Sequence, residues 1–165
     1  MENWQISMLA SVLAGIGATL FMDIVTLVLK ALFGTPSLDY ALVGRWIGHM
    51  PEGRFRHARI MDAAPVRWER PLGWIVHYAI GVGLALLLTL IAGPDWLFSP
   101  RPLPVILFGT VTVLLPWLIM QPGLGLGVAA TRTPTPWRAR LGNLRTHTVF
   151  GIGLYLSALP IACLT

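Results

Sequence analysis

Long runs of apolar residues alternate with polar segments along the chain, and four of these runs are long enough to cross a bilayer. They lie at residues 8–32, 73–91, 103–120 and 147–164. A helix of about 20 apolar residues spans the hydrocarbon core, and lipid can then cover its side chains. The pattern predicts an all-α integral membrane protein, a four-helix bundle that forms a single transmembrane domain over residues 1–165.

Two prolines mark possible helix starts ahead of the second and fourth runs. Pro71 and Pro136 precede them, and proline is tolerated in the first turn of a helix, where the N–H groups have no intrahelical partner. We therefore expect both helices to extend backwards into the preceding polar segments.

The composition supports a membrane protein and argues against a nucleic-acid-binding one. The chain is 55% hydrophobic and only 12% charged, with a net charge of +5. Its arginines flank the apolar runs and alternate with tryptophan, which is typical of a membrane interface. The single cysteine, Cys163, excludes an internal disulfide and a cysteine metal cluster.

The distribution of arginine predicts the orientation of the chain. Ten of the eleven arginines lie in the segments 33–72 and 121–146, which the positive-inside rule assigns to the cytoplasm. The expected protein is a multi-pass protein of the bacterial inner membrane with both termini on the outer, periplasmic side. Trp4 and Trp96 are then expected at the outer interface, and Trp74 and Trp137 at the inner one.

The first run carries a polar stripe at helical spacing. Its members are Ser11, Gly15, Thr19, Asp23, Thr26 and Lys30, which share one face of a helix and should face protein. A carboxylate within the membrane is costly unless it is paired, protonated or wetted. Asp23 is therefore either a proton or cation site or a structural carboxylate hydrogen-bonded to another helix.

Two histidines open similar sequences at the start of the second and fourth runs. His77 and His147 each begin the pattern H-x-x-x-G-x-G-L, and the predicted topology places both at the cytoplasmic end, the side that also holds His49. The glycine beside each imidazole leaves room for a haem, a pigment or a metal. The alternative is that the glycines permit close helix packing and that each imidazole caps a carbonyl or contacts a lipid headgroup.

The first predicted cytoplasmic segment is too apolar for a plain linker. Residues 39–57 combine aromatic and basic side chains, which predicts an amphipathic helix and turn along the membrane surface. Arg45, Arg54 and Arg56 either bind an anionic headgroup or phosphate or simply anchor the segment at the surface.

The second predicted cytoplasmic segment begins with a glycine-rich turn. It follows Pro116 and contains Gln121 and three glycines at 123, 125 and 127. The lysine of a nucleotide-binding phosphate loop is missing and no strand precedes it. We expect irregular backbone at the membrane edge, tolerated where it lines a polar cavity or is covered by protein.

Several of these strings together resemble a bacterial inner-membrane family known only as a domain of unknown function, DUF family 2938. They are residues 15–23, 43–49, 73–78, 120–125 and 147–155, and the resemblance covers nearly the whole chain. It implies a small four-helix membrane protein and supplies no activity, cofactor or catalytic residue.

Three hypotheses for function follow. The leading one is a small-molecule or ion binding or transport module, with a polar site at the cytoplasmic side lined by Asp23, His77, His147, Gln121 and His49. A second is a membrane enzyme acting on a lipid or quinone. The third is an accessory subunit of a larger complex that binds haem, pigment or metal through His77 and His147. The expected partners are membrane lipids and either further copies of this chain or a larger membrane complex.

Overall fold

The computed structural model describes residues 2–163, with side chains from Trp4 onward. Within that range the chain is helical and has no β-strand. The α-helices are α1 (Glu2–Phe33), α2 (Tyr40–His49), α3 (Glu69–Ala92), α4 (Asp95–Phe98), α5 (Pro102–Val111), α6 (Gln121–Gly123) and α7 (Pro136–Cys163). A π-helical turn, Pro116–Met120, precedes α6, and short 3-10 turns occur at Met50–Glu52, Ile60–Asp62 and Val128–Ala130.

Four helical segments are long and apolar enough to cross a membrane. They are Trp4–Phe33, Glu69–Ala92, Pro102–Gly123 and Pro136–Cys163. No more than 28% of the apolar window of each is buried within the protein, so most of their apolar side chains need lipid to cover them. The predicted all-α architecture with four apolar spans is confirmed.

The second and fourth spans begin earlier than the apolar runs do. Helix α7 starts at Pro136, as the proline predicted, and α3 starts at Glu69, two residues ahead of Pro71. The helical part of the predicted loop 121–146 is therefore larger than its polarity indicates. Leu164, the predicted end of the fourth span, lies outside the described residues.

The described residues divide into two compact units. The first comprises the described parts of Met1–Ser37, Tyr78–Thr112 and Arg145–Thr165. The second comprises Leu38–His77 and Val113–Leu144. It contains most of the two predicted cytoplasmic segments.

Small residues bring the helices of the first unit close together. A Cβ atom on Gly153 would lie 2.9 Å from Cα of Ala18, and one on Gly109 would meet the backbone of Gly151. Gly15 packs in the same way against the backbone at Gly81. The close-packing interpretation of these glycines is confirmed. Of the glycines in the two histidine motifs, Gly83 alone has no atom within 4 Å of such a Cβ.

Buried hydroxyl groups link three elements of the first unit. The Ser11 and Thr89 hydroxyl oxygens lie 2.6 Å apart, and the Trp96 indole N–H donates to Thr89 Oγ1 at 2.9 Å. The first half of the polar stripe thus faces protein as predicted. Trp96 is only 6% exposed, so its assignment to the outer aromatic belt was wrong. Its N–H finds a hydroxyl inside the unit instead of interfacial water.

Helix α2 organises the second unit. The Asp39 carboxylate caps its N-terminus by accepting a hydrogen bond from the Ala41 N–H at 3.0 Å, as an N-cap residue should. Trp46, Ile60 and Leu124 form a small apolar core beside it. An amphipathic helix followed by a turn was predicted here, and the helix and turn are confirmed.

The glycine-rich turn is irregular, as expected. Gly125 and Gly127 have φ values of +85° and +75°, which glycine adopts at little cost because it has no Cβ atom. Ala129 and Ala130 also have positive φ. Non-glycine residues rarely adopt that conformation, and it often marks a functional segment.

Candidate functional site

A bidentate ion pair fixes the arginine-rich segment of the second unit. Arg45 Nε and Nη2 donate to the two carboxylate oxygens of Glu69 at 2.8 and 2.9 Å. The remaining Arg45 nitrogen, Nη1, reaches the carbonyl of Ala63 at 3.2 Å. The Glu69 partner raises the pKa of the Arg45 guanidinium. Arg45 therefore has a structural role, since its donors are taken up by protein acceptors.

Backbone contacts hold the loop after α2 against the glycine-rich turn. The His57 N–H donates to the Gly123 carbonyl at 2.9 Å, and the Ile60 N–H donates to the Leu124 carbonyl at 3.1 Å. The Trp46 indole N–H donates to the Phe55 carbonyl at 2.9 Å. These bonds hold residues 55–60 in place and so position Arg56.

An open cavity of about 550 Å³ lies between this loop and the glycine-rich turn. Its polar walls are Arg56 and His57 from the loop and Thr131 and Arg132 from the turn. The Arg140 guanidinium donates to the Ala129 carbonyl at 2.8 Å, which ties the turn to the start of α7. The two segments that the sequence separates widely thus contribute one arginine each to one cavity.

The cavity belongs to the positively charged part of the molecule. The second unit contains nine arginines and four carboxylates, a surplus of five, whereas basic and acidic residues number three each in the first. All four carboxylates are engaged locally: Glu69 with Arg45, Glu52 with Arg54, Asp62 with Arg59, and Asp39 at the helix cap. Arg56 and Arg132 are two of the six arginines of this unit that have no ion-pair partner among the described side chains.

Two histidines of this unit have their rings in tilted contact, and one of them, His57, lines the cavity. The rings of His49 and His57 are 5.1 Å apart between centroids, and His49 is only 4% exposed. Among the described residues, His49 Nδ1 and His57 Nε2 are buried without a hydrogen-bond partner. Burial lowers the pKa of His57, and the neighbouring His49 and Arg54 lower it further.

The remaining members of the predicted polar site have separate local partners. Tyr78 donates to an Asp23 carboxylate oxygen at 3.1 Å, and the Thr112 hydroxyl lies 2.8 Å from His147 Nδ1; both pairs belong to the first unit. In the second unit, His77 Nε2 lies 3.1 Å from the Tyr40 hydroxyl. Gln121 donates to Asn143 at 3.1 Å, and its carbonyl oxygen is buried without a partner among the described residues.

The predicted five-residue site is thus divided between the units. Asp23 and His147 belong to the first, and His49, His77 and Gln121 belong to the second. The described residues contain no group of three His, Cys, Asp or Glu side chains placed to hold a metal ion. The proposed metal and haem role of His77 and His147 stays a prediction.

The family model for proteins of unknown function called DUF2938 matches residues 12–161. The chain belongs to the DUF2938 family. The match includes the whole second unit of this DUF2938 protein, most of the first and every residue of the cavity, so the family resemblance seen in the sequence is confirmed. Neither a curated protein nor a solved structure matches the chain.

One half of the cavity in this DUF2938 protein could be predicted from the sequence, and the other half was not predicted. Arg56 was a candidate for binding an anionic group, but Thr131 and Arg132 were not. The available signal was an arginine directly after a glycine-rich turn. The turn lacks the lysine of a nucleotide-binding loop, and Arg56 from the loop after α2 adds a positive charge to the cavity.

Proposed function

We propose that the protein is a membrane-embedded binding module that holds a small anionic ligand between Arg56 and Arg132. The observation that carries this proposal is that these two arginines line one cavity and that neither has an ion-pair partner among the described side chains. An anion placed between them neutralises charge that the protein leaves uncompensated.

Side-chain chemistry favours phosphate or carboxylate as the bound group. Arginine presents planar, paired N–H donors that match the oxygens of both groups. Thr131 and His57 also line the cavity, and a hydroxyl and an imidazole are groups that can hydrogen-bond to such oxygens. Inorganic cations are disfavoured by the same charges.

The site is proposed to face the cytoplasm of a bacterial cell. The two basic segments are the ones that the positive-inside rule retains on that side of the inner membrane. In this orientation both termini are periplasmic, and the cavity takes its ligand from the cytoplasm or from the inner leaflet.

Ion or proton transport is the second candidate function. The observation that favours it is the half-buried Asp23 within a candidate span, hydrogen-bonded to Tyr78. Ionisable groups inside spans often mark ion pathways, and His147 is a second such group in the same unit. In proteoliposomes, proton or cation flux lost in Asp23→Asn and retained in Thr26→Ser would support transport; equal flux in both would exclude this role for Asp23.

The binding proposal is tested by anion-dependent thermal stabilisation of the detergent-purified protein at constant ionic strength. A ligand that binds only the folded state at 100 times its Kd raises the free energy of unfolding by about 2.7 kcal/mol. Phosphate should raise the unfolding temperature of the wild type. The rise should be much smaller in Arg56→Gln and in Arg132→Gln.

Arg138→Gln is the matched control, because Arg138 is an exposed arginine of the same unit that does not line the cavity. It should respond to phosphate as the wild type does. Equal stabilisation of all four proteins by phosphate would overturn the proposal. So would a wild type that neither phosphate nor simple carboxylates stabilise.

A further inference from the structure

A second, apolar cavity adjoins the arginine cavity. It has a volume of about 340 Å³ and is lined mainly by apolar side chains. Arg56, Leu118 and Pro122 form part of the wall of both cavities. The remaining lining residues of the apolar cavity are Trp46, Met50, Phe55, Ile119 and Gly123. One continuous surface therefore runs from a pair of arginines to an apolar groove.

The floor of the groove belongs to a membrane span. Leu118 and Ile119 lie within the span Pro102–Gly123 and are 58% and 57% exposed. Side chains so exposed in a span face hydrocarbon. The groove is thereby open to the lipid phase on one side, while the arginine cavity belongs to the unit that carries the net positive charge.

The local backbone creates this groove. The π-helical turn Pro116–Met120 interrupts the regular helix between two prolines, Pro116 and Pro122. π-Helical turns are rare in proteins, and many of those that occur lie at functional sites. Gly123 follows, and a Cβ atom there would lie 2.6 Å from Trp46 Cε2. The absence of a side chain at Gly123 leaves room for the indole, which forms one wall of the groove.

We infer that the ligand is an amphiphile: a membrane lipid whose phosphate headgroup binds between Arg56 and Arg132 and whose apolar chain lies along Trp46, Phe55 and Ile119. This inference rests on the proposed anion-binding function and adds the apolar half of the ligand. A soluble phosphate compound would use only the arginine cavity and would leave the groove to bulk lipid.

The expected signature is a dependence of affinity on chain length. Each methylene group buried in the groove should raise the affinity about threefold to fourfold until the groove is filled. Dihexanoyl phosphatidate, a short-chain phosphate lipid, should then bind at least about 30-fold more tightly than glycerol 3-phosphate, which has the same head without the chains. Dihexanoyl phosphatidylcholine, whose phosphate carries a cationic substituent, should bind much more weakly.

The test is isothermal titration of the full chain in a non-ionic detergent with these three compounds. Ile119→Trp fills the groove and Phe55→Ala removes one wall; both positions are more than half exposed, so the fold should tolerate them. Either change should bring the affinity for the phosphatidate close to that for glycerol 3-phosphate, while the latter stays unchanged. Arg56→Gln should lower the affinity for both phosphate compounds.

Leu107→Trp is the matched control for adding an indole to a span, because Leu107 is 53% exposed and belongs to the first unit. It should bind all compounds as the wild type does. Equal affinity of the wild type for glycerol 3-phosphate and the phosphatidate, both weakened by Arg56→Gln, would overturn the lipid inference and leave the anion-binding function standing. Failure of both phosphate compounds to bind would overturn both. Phosphatidylcholine that binds as tightly as the phosphatidate would overturn the lipid inference alone.

Discussion

Arg45 and Glu69 form a bidentate ion pair that joins helix α2 to the start of α3, with N–O distances of 2.8 and 2.9 Å. The side chains are only 13% and 20% exposed. A pair that is largely removed from water leaves an uncompensated charge when one partner is lost, and the cost is then far larger than at the surface.

Arg45→Gln should therefore lower the free energy of unfolding by about 1–3 kcal/mol, measured by thermal or chemical unfolding in detergent. Arg54→Gln is the control, because Arg54 and its partner Glu52 are 65% and 59% exposed, and an exposed pair contributes less than about 1 kcal/mol. Equal loss in the two variants would show that Arg45 does not act as a structural residue.

Gly44→Ala should destabilise the second unit severely. A Cβ atom at position 44 would collide with the carbonyl group of Glu69, a backbone group that cannot rotate away. Overpacking of this kind typically costs about 1–3 kcal/mol or more. In contrast, Gly142→Ala places a methyl group where no atom lies within 4 Å. It should be neutral or stabilise α7 by up to about 1 kcal/mol, because alanine favours the helix.

Thr89→Val should destabilise the first unit by about 1–3 kcal/mol. The hydroxyl of Thr89 accepts from the buried Trp96 N–H and contacts the Ser11 hydroxyl, and valine leaves that N–H without an acceptor. Thr89→Ser keeps the hydroxyl and should retain most of the stability. Unfolding temperatures in detergent distinguish the two, and an equally stable valine variant would contradict the assigned role of the hydroxyl.

Acidification should lower the free energy of unfolding of the ligand-free protein through protonation of His57. Its pKa is lowered in the folded state, first by burial and then by His49 and Arg54. Below the ordinary histidine pKa of about 6.5, the unfolded chain binds a proton that the folded chain resists, so the stability present at neutral pH is lost as the pH falls towards the folded-state pKa. His57→Gln should reduce the fall in unfolding temperature between about pH 7.5 and about pH 5.5. An identical fall in both proteins would contradict this role.

Much of the fold could be predicted because lipid imposes simple rules on it. The four spans follow from the length of the apolar runs, and the backward extension of α7 follows from Pro136. The burial of Ser11 and Thr19 follows from helical spacing, since a polar stripe must face protein. Trp96 was misplaced because its position near the end of an apolar run does not show that a hydroxyl inside the first unit is within reach of its N–H.

The candidate site was only half predictable for a different reason. Arg45, Arg54 and Arg56 look alike in the sequence, yet carboxylates neutralise the first two and leave the third without an ion-pair partner among the described side chains. The position of Arg56 and Arg132 at one cavity depends on hydrogen bonds between distant segments, such as the bond from the His57 N–H to the Gly123 carbonyl. Periodicity and composition carry no information on such contacts.

Joint binding of one anion by Arg56 and Arg132 can be measured by titration calorimetry with glycerol 3-phosphate. One molecule should bind per chain. Each of Arg56→Gln and Arg132→Gln should weaken binding about tenfold or more, because each removes a charge-assisted hydrogen bond, and Arg138→Gln should have no effect. Wild-type affinity in either cavity variant, or an equal loss in Arg138→Gln, would contradict joint binding by the two arginines.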